Sequence, residues 1–275
     1  MLRKAIWALA LVASLALPAT VKAQGDYLDV YRVKVKPEKL GEFYALTAKW
    51  VDANRQNGGD RWIAAVTIYG EGDVFQFTST RSSYAEVDKT TDAVMAAAAK
   101  AFGADMMKIM FDFESCVANS RTEFRRRRAD LSRNVPATPA AYTKSVGSSR
   151  YLRTTAVHVR PGKIAEFEGL LKDLKAAYEK NPNAPAVFVS QVIEGTKGTV
   201  YYVSTLRSSL AGFDNNPSMR ELLGEDGFKK FQQVNADAVE EADSTMYRFA
   251  PEISNPPDEV AAAAPDFWHP KPAKP

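Results

Sequence analysis

The chain has 275 residues, with 36 Lys and Arg against 33 Asp and Glu, and 45% of its residues are hydrophobic. This apolar content excludes a mostly disordered chain, and the length suits one large domain or two of ordinary size. One cysteine and two histidines exclude an intrachain disulfide framework and a Cys-rich zinc site, and leave little room for a histidine-based metal centre.

Residues 1–23 have the features of a secretory signal peptide. Two basic residues precede the apolar run 5–17, which has the usual length of an h-region and is short for a transmembrane helix. Val21 and Ala23 are small residues at the positions that signal peptidase requires. We therefore expect an exported chain, periplasmic or secreted, with no membrane span after cleavage; the alternative is an uncleaved anchor.

The charge balance changes if this segment is removed. Cleavage takes away Arg3, Lys4 and Lys22, which leaves 33 basic residues of the original 36 against 33 acidic ones. A mature chain with no formal net charge gives no reason to expect nucleic acid as a partner. The lone Cys116 lies on an apolar helix face, where we expect a buried and inert thiol.

The chain contains two copies of one unit. Three segments recur in the same order, at offsets that drift as loop insertions would make them. They are VKPEKLGEF (35–43) with VRPGKIAEF (159–167), STRSSYA (79–85) with TLRSSLA (205–211), and FGAD (102–105) with LGED (223–226). We infer a first repeat at 24–132 and a second at 150–254, joined by a linker at 133–149.

Both copies have the element order β-α-β-β-α-β. In the first copy, alternating apolar residues predict a strand over 27–36, and apolar residues at helical spacing follow it. Glycine-rich turns at 70–73 and 195–198 predict a hairpin in each copy. The second helical regions, 84–119 and 217–242, are expected to break at a glycine before a last strand closes each copy.

This element order is that of the ferredoxin-like split βαβ unit, in which helices cover one face of the sheet. The other face must also be covered, and a second copy in the same chain can cover it. The sequence therefore predicts an α+β fold in which two tandem ferredoxin-like repeats form an intrachain pseudo-dimer, with a barrel or sandwich interior between the two sheets.

The strand–Pro–helix openings VKVKPEKLGEFYAL and VHVRPGKIAEFEGLL resemble the dimeric α+β-barrel superfamily, which includes antibiotic-biosynthesis-monooxygenase-like and NIPSNAP-like domains. The resemblance covers nearly all of 27–254. It implies a barrel that members usually close with two chains and that this chain would close alone, and it leaves further assembly into a homo-oligomer open.

The resemblance is weak for function, because that superfamily includes cofactor-free monooxygenases, haem-binding enzymes and proteins of unknown role. Its haem-degrading members are expected to carry an axial histidine on the second helix. Neither second helical region here contains a histidine. We therefore expect no haem, and the sequence indicates no other cofactor and no metal.

The space between the sheets is the expected ligand site. If the valines of the opening strands face the helices, then Arg32, Lys34 and His158 face this space. His158 is a candidate general base, and the alternative is a hydrogen-bonded or rim histidine. Further candidates for ligand binding are the strand residues Trp62, Gln76 and Tyr202.

Four consecutive arginines, 125–128, lie in the last strand of the first copy, so alternation sends two to each face. We take Arg126 and Arg128 as the pair that lines the cavity, where guanidinium groups would suit a carboxylate or phosphate. The alternative is that the run projects into solvent or pairs with carboxylates. The recurring Arg-Ser-Ser motifs, 81–83 and 207–209, are expected to cap helices.

Residues 255–275 hold six prolines and an alanine run, which predict a tail with no fixed fold. Within this tail, Phe267-Trp268-His269 could dock on the body or on a partner.

These features favour an exported protein that binds a small molecule between the sheets or serves a structural role, and they leave open whether it is an enzyme. The alternative is a cofactor-independent monooxygenase acting on an aromatic substrate, with His158 as the base. A space packed shut between the sheets would contradict both the binding and the enzymatic hypotheses.

Overall fold

The computed structural model describes residues 25–181, 183–214 and 216–269. The expected signal peptide lies outside these residues. The strands are β1 (Tyr27–Val35), β2 (Ile63–Tyr69), β3 (Val74–Arg81), β4 (Val117–Arg127), β5 (Tyr151–Val159), β6 (Phe188–Glu194), β7 (Thr199–Arg207) and β8 (Val239–Phe249). The helices are α1 (Leu40–Asn57), α2 (Tyr84–Phe102), α3 (Met106–Cys116), α4 (Pro139–Gly147), α5 (Ile164–Glu179), α6 (Met219–Ala238), α7 (Asp258–Ala262) and α8 (Pro265–Trp268). None of these helices combines the length and the apolar character that a membrane span requires.

The two repeats have the same sheet. In the first, the strands lie in the order β4-β1-β3-β2, and in the second in the order β8-β5-β7-β6. The register also repeats, because Tyr27 pairs with Arg81 and Tyr151 pairs with Arg207. These pairings confirm the ferredoxin-like order that was predicted for each copy.

The two sheets join at both edges and close one barrel. Strand β2 pairs with β8, and β4 pairs with β6, so all eight strands form a closed antiparallel barrel. Closure leaves none of these eight strands with an unpaired edge. The predicted intrachain pseudo-dimeric α+β barrel is therefore confirmed.

Helices cover the outside of the barrel, and the space between helix and sheet is filled. In the first repeat, Val33 and Phe75 of the sheet pack against Phe43 of α1. In the second, Val159 packs with Phe167 of α5 in the corresponding cluster. As predicted, glycines interrupt the second helical regions: Gly103 separates α2 from α3, and Gly224 takes a non-helical conformation within α6.

The segment 133–149 does more than link the repeats. It contains α4, which begins with Pro139 after Thr138, whose side chain accepts a hydrogen bond from the N–H of Ala141. A proline at the first helical position is favoured because its missing N–H has no partner to lose there. Helix α4 packs against α7 of the C-terminal segment.

The expectation of a tail with no fixed fold is wrong for residues 255–269. Asn255 forms a β-bridge with Trp62, and two short helices follow. Trp268 is only 1% exposed, packs on Phe249 of β8, and donates from its Nε1 to the carbonyl of Gly147 at 2.8 Å. The prolines and alanines of this segment suggested disorder. Composition cannot show that Trp268 packs against Phe249, and this contact orders the segment. Residues 270–275 lie outside the described residues.

We predict that Trp268→Ala lowers the free energy of unfolding by about 3–5 kcal/mol, because it empties a buried aromatic site and leaves a carbonyl without its donor. Urea unfolding followed by circular dichroism measures the change. Phe111→Ala is the control: this phenylalanine of α3 is 67% exposed, so its loss should cost less than about 0.5 kcal/mol. Equal effects would contradict the docking of the tail.

Candidate functional site

One end of the barrel opens into a cavity of about 1260 Å³, which the segments around α4 and α7 also line. Its walls come from both repeats, since β1, β2 and β3 contribute on one side and β5, β6 and β7 on the other. The apolar wall residues include Leu28, Val30, Ile63, Ala65, Leu152, Phe188, Leu206 and Phe249. The sequence did not decide whether the space between the two sheets is filled. At this end of the barrel it is open.

Some polar groups of the wall are paired with one another. The hydroxyls of Thr154 and Ser204 lie 2.8 Å apart, and the Nε2 of Gln76 donates to the Oγ1 of Thr78 at 3.2 Å. Each of these four residues lines the cavity. A ligand there would meet a mainly apolar surface with a few short hydroxyl and amide groups, which is the usual character of a small-molecule site.

The segments between and after the repeats form the mouth of the cavity. Tyr142 and Val146 of α4 line it, as does Val260 of α7. Arg127 of β4 also lines it, and its guanidinium carbon lies 4.9 Å from the ring centroid of Tyr142. The mouth is thus built by the two parts of the chain that lie outside the repeats.

A charged cluster closes the floor. The carboxylate of Glu123 is bridged to Arg125 at 2.7 Å and to Arg121 at 2.6 Å, and the hydroxyl of Tyr202 donates to it at 3.2 Å. The guanidinium of Arg125 stacks on the ring of Tyr202, 3.4 Å from its centroid. Glu123 is 3% exposed and Arg125 4% exposed, so this is a buried ion pair with nearly complete hydrogen bonding.

Burial raises the pKa of Tyr202 above its usual value. The phenol therefore stays protonated at neutral pH and remains a donor to the carboxylate of Glu123. Beyond this layer, Val192 and Val200 pack with Tyr202 and Ala156, and they fill the barrel at the next level.

The expectation that Arg126 and Arg128 line the cavity is wrong. Arg125 and Arg127 line the cavity. Arg126 is exposed, and Arg128 lies outside the barrel, where it pairs with Asp130 and with Glu168 of α5. The hydrogen bonds that Arg128 donates to Asp130 and Glu168 raise its pKa.

The strand register explains the correction. Phe124 immediately precedes the run and stacks on Tyr27 at 4.9 Å, outside the barrel and beside Tyr84 of α2. Alternation then turns Arg125 inward. The apolar residue before the run was the available sequence clue to this facing.

His158 does not line the cavity. It pairs with Val200 of β7 and Glu241 of β8, at the end of β5 away from the lining residues Leu152 and Thr154. The pair Ala156 and Tyr202, which belongs to the packed layer, lies between His158 and the cavity. The structure thus gives His158 the rim position that was its alternative, and does not bring it to the ligand site.

The remaining candidates fall at different levels. Arg32 and Lys34 both pair with Glu71, at 3.0 and 2.8 Å, on the side of the floor away from the mouth. The hydrogen bond from Lys34 is the main reason that the pKa of Glu71 is lowered. Trp62 lines the cavity and donates from Nε1 to the carbonyl of Ile253.

The capping prediction holds in one repeat only. Ser83 caps α2 by accepting a hydrogen bond from the N–H of Glu86. Ser209 makes no such bond and precedes a short 3₁₀ turn, and Ser218 forms the capping box of α6 with Glu221 instead. The inserted residues between strand and helix in the second copy moved the helix start.

The described residues contain no cluster of three or more His, Cys, Asp or Glu side chains that could hold a metal ion. Cys116 is buried, as expected. Burial raises the pKa of its thiol. The lining consists mainly of apolar side chains and short polar groups, with charged residues that include Arg125 and Arg127 of β4 and the exposed Asp26 and Glu259.

No protein-family model matches the chain, and no curated protein matches it in sequence. Among solved structures, it is similar to an anthrone oxidase-like protein, with 15% identity, 83% of this chain and 93% of that chain covered, and a TM-score of 0.53. It is also similar to a candidate monooxygenase from Fusobacterium nucleatum, with 11% identity, coverage of 81% and 91%, and a TM-score of 0.52. At these identities the similarity shows the fold alone, that of a dimeric α+β barrel.

We predict that Glu123→Gln destabilises the chain by about 3–5 kcal/mol, because Arg125 stays buried without its counter-charge. Adding Arg125→Met should recover most of this loss, since the buried charge is then gone. Chemical unfolding measures both variants. Glu71→Gln, which removes an exposed carboxylate at the other end, should cost less than about 1 kcal/mol. A Glu123 variant as mild as this control would contradict a buried ion pair.

Proposed function

We propose that this protein binds a small, largely apolar molecule inside its barrel. The observation that carries the proposal is the cavity of about 1260 Å³, which is large enough for a drug-sized ligand. Eight strands fix its walls, so the site is formed before a ligand arrives. Fold similarity to monooxygenase-like proteins is compatible with small-molecule binding but adds no detail about the ligand.

A purely structural role is supported less well than binding. A structural module gains stability from a filled interior, because each void forfeits packing contacts. Here the helix–sheet spaces are filled by two apolar clusters, while the barrel interior is open toward α4 and α7. An unfilled space that the chain retains at a cost in stability is most simply explained by a ligand.

The alternative function, a cofactor-independent monooxygenase, needs a base within hydrogen-bonding distance of the substrate. The described lining contains no histidine, and its carboxylates, Asp26 and Glu259, are both exposed. The buried Glu123 is already bonded to two arginines and a tyrosine. These features favour binding over turnover.

We further propose that the mature protein acts outside the cytoplasm, after removal of residues 1–23. The proposal rests on the basic, apolar and small-residue pattern of that segment.

Filling the cavity should abolish binding. Leu28 lines the cavity from β1, whereas its neighbour Tyr27 lies on the outer face. We predict that Leu28→Trp weakens binding of the neutral fluorescent probe phenylnaphthylamine at least tenfold, while Tyr27→Trp changes it by less than about twofold. Fluorescence titration measures both. Native mass spectrometry of the protein from its own host should show a bound small molecule. If the wild type binds no apolar probe and carries no ligand, the proposed function is wrong.

Export predicts that the chain recovered from the periplasm or medium begins at Gln24. Intact-mass measurement determines this terminus, and a variant lacking residues 2–23 should remain in the cytoplasm. Recovery of the full chain, with Met1 still present, from the soluble cytoplasmic fraction alone would contradict the proposal.

A further inference from the structure

We propose that the ligand is an amphipathic anion: an apolar body that fills the barrel, with one carboxylate or comparable anionic group held by Arg125 at the cavity floor. This inference rests on the proposed function and names the chemical class that the site would accept. Its basis is the charge and hydrogen bonding of the floor.

The floor carries more positive charge than its own carboxylate neutralises. Glu123 is shared between Arg121 and Arg125, so these three side chains have a net charge of +1. Arg125 is only 4% exposed and faces an otherwise mainly apolar cavity. Arg125 is already paired with Glu123, and an anionic ligand would offset the remaining positive charge of this cluster and give Arg125 a second acceptor.

The orientation of Arg125 leaves part of its guanidinium available. Its Nε and Nη2 both point to Glu123, at 2.8 and 2.7 Å, and its flat face lies on the ring of Tyr202. Within the described part of the chain, the Nη1 of Arg125 makes no hydrogen bond, and it is not fully buried. It therefore borders open space, and Arg125 is a lining residue of the cavity.

The surroundings select an anion that carries an apolar body. Leu28, which pairs with Arg125 across β1 and β4, is itself an apolar lining residue. Phe249 and Leu206 extend the apolar wall. A free inorganic anion would gain the contact with Arg125 but would leave these walls uncovered, whereas a neutral molecule would cover the walls and offer no acceptor to the Nη1 of Arg125.

A matched pair of probes tests the inference. Anilinonaphthalene sulfonate and phenylnaphthylamine share one fused-ring body and differ by the anionic group. We expect the wild type to bind the sulfonate more tightly than the neutral probe. Arg125→Gln should weaken sulfonate binding about ten- to a hundredfold, as loss of a charged hydrogen bond does, and should leave the neutral probe within about twofold. Arg121 remains to pair with Glu123 in this variant.

Arg126→Gln is the matched control, because it removes the same charge from the next residue, whose side chain is exposed outside the barrel. It should leave both probes within about twofold of wild type. Leu28→Trp should weaken both probes, which locates them in the cavity. If Arg125→Gln fails to fold, the paired variant Glu123→Gln with Arg125→Met is used instead, since it removes both charges together.

Displacement in the wild type gives an independent readout. Dodecanoate should displace the neutral probe at least tenfold more effectively than dodecanol, and acetate should displace nothing. Equal binding of the two probes, or equal effects of the Arg125 and Arg126 variants, would overturn the anionic inference while leaving cavity binding intact. Failure of every probe to bind would overturn the proposed function itself.

Discussion

The structure depends on the pairing of strands between the two repeats. Each four-stranded sheet has two edges, and β2 with β8 and β4 with β6 satisfy all of them within one chain. Unpaired edges expose backbone donors and acceptors that invite association with other chains. Closure removes those edges, and it also turns the two inner sheet faces toward a shared space. The cavity follows from this closure, because helices cover only the outer faces.

The two copies have diverged where they meet this space. The inward position taken by Arg125 in β4 corresponds to that of Tyr247 in β8, since they pair with the equivalent residues Leu28 and Leu152. Tyr202 of β7 likewise corresponds to Gln76 of β3. The floor thus combines a cation and a carboxylate from the first repeat with an aromatic ring from the second.

The parts of the chain outside the repeats complete the site. Helix α4 and the C-terminal segment pack on each other across the mouth, where Trp268 bonds to the backbone of Gly147. Gly147 admits this contact because a Cβ there would lie 2.3 Å from the carbonyl oxygen of Val260. Access to the cavity therefore depends on segments whose composition alone suggested a linker and a disordered tail.

The sequence by itself determined the repeat, the element order and the α+β-barrel fold, because hydrophobic periodicity and the VKP and VRP openings are local signals that both copies carry. Of the candidate residues, Gln76 lines the cavity from β3, where strand alternation points it inward, and Trp62 lines it from the position just before β2. Tertiary structure alone decided the rest. Which arginines face inward depends on the packing of Phe124 against α2, and the level of His158 depends on which barrel layers are filled. The ordered structure of the tail depends on the packing of Trp268 against Phe249 of β8. These are contacts between residues distant in sequence, and hydrophobic periodicity, which is a local signal, does not predict them.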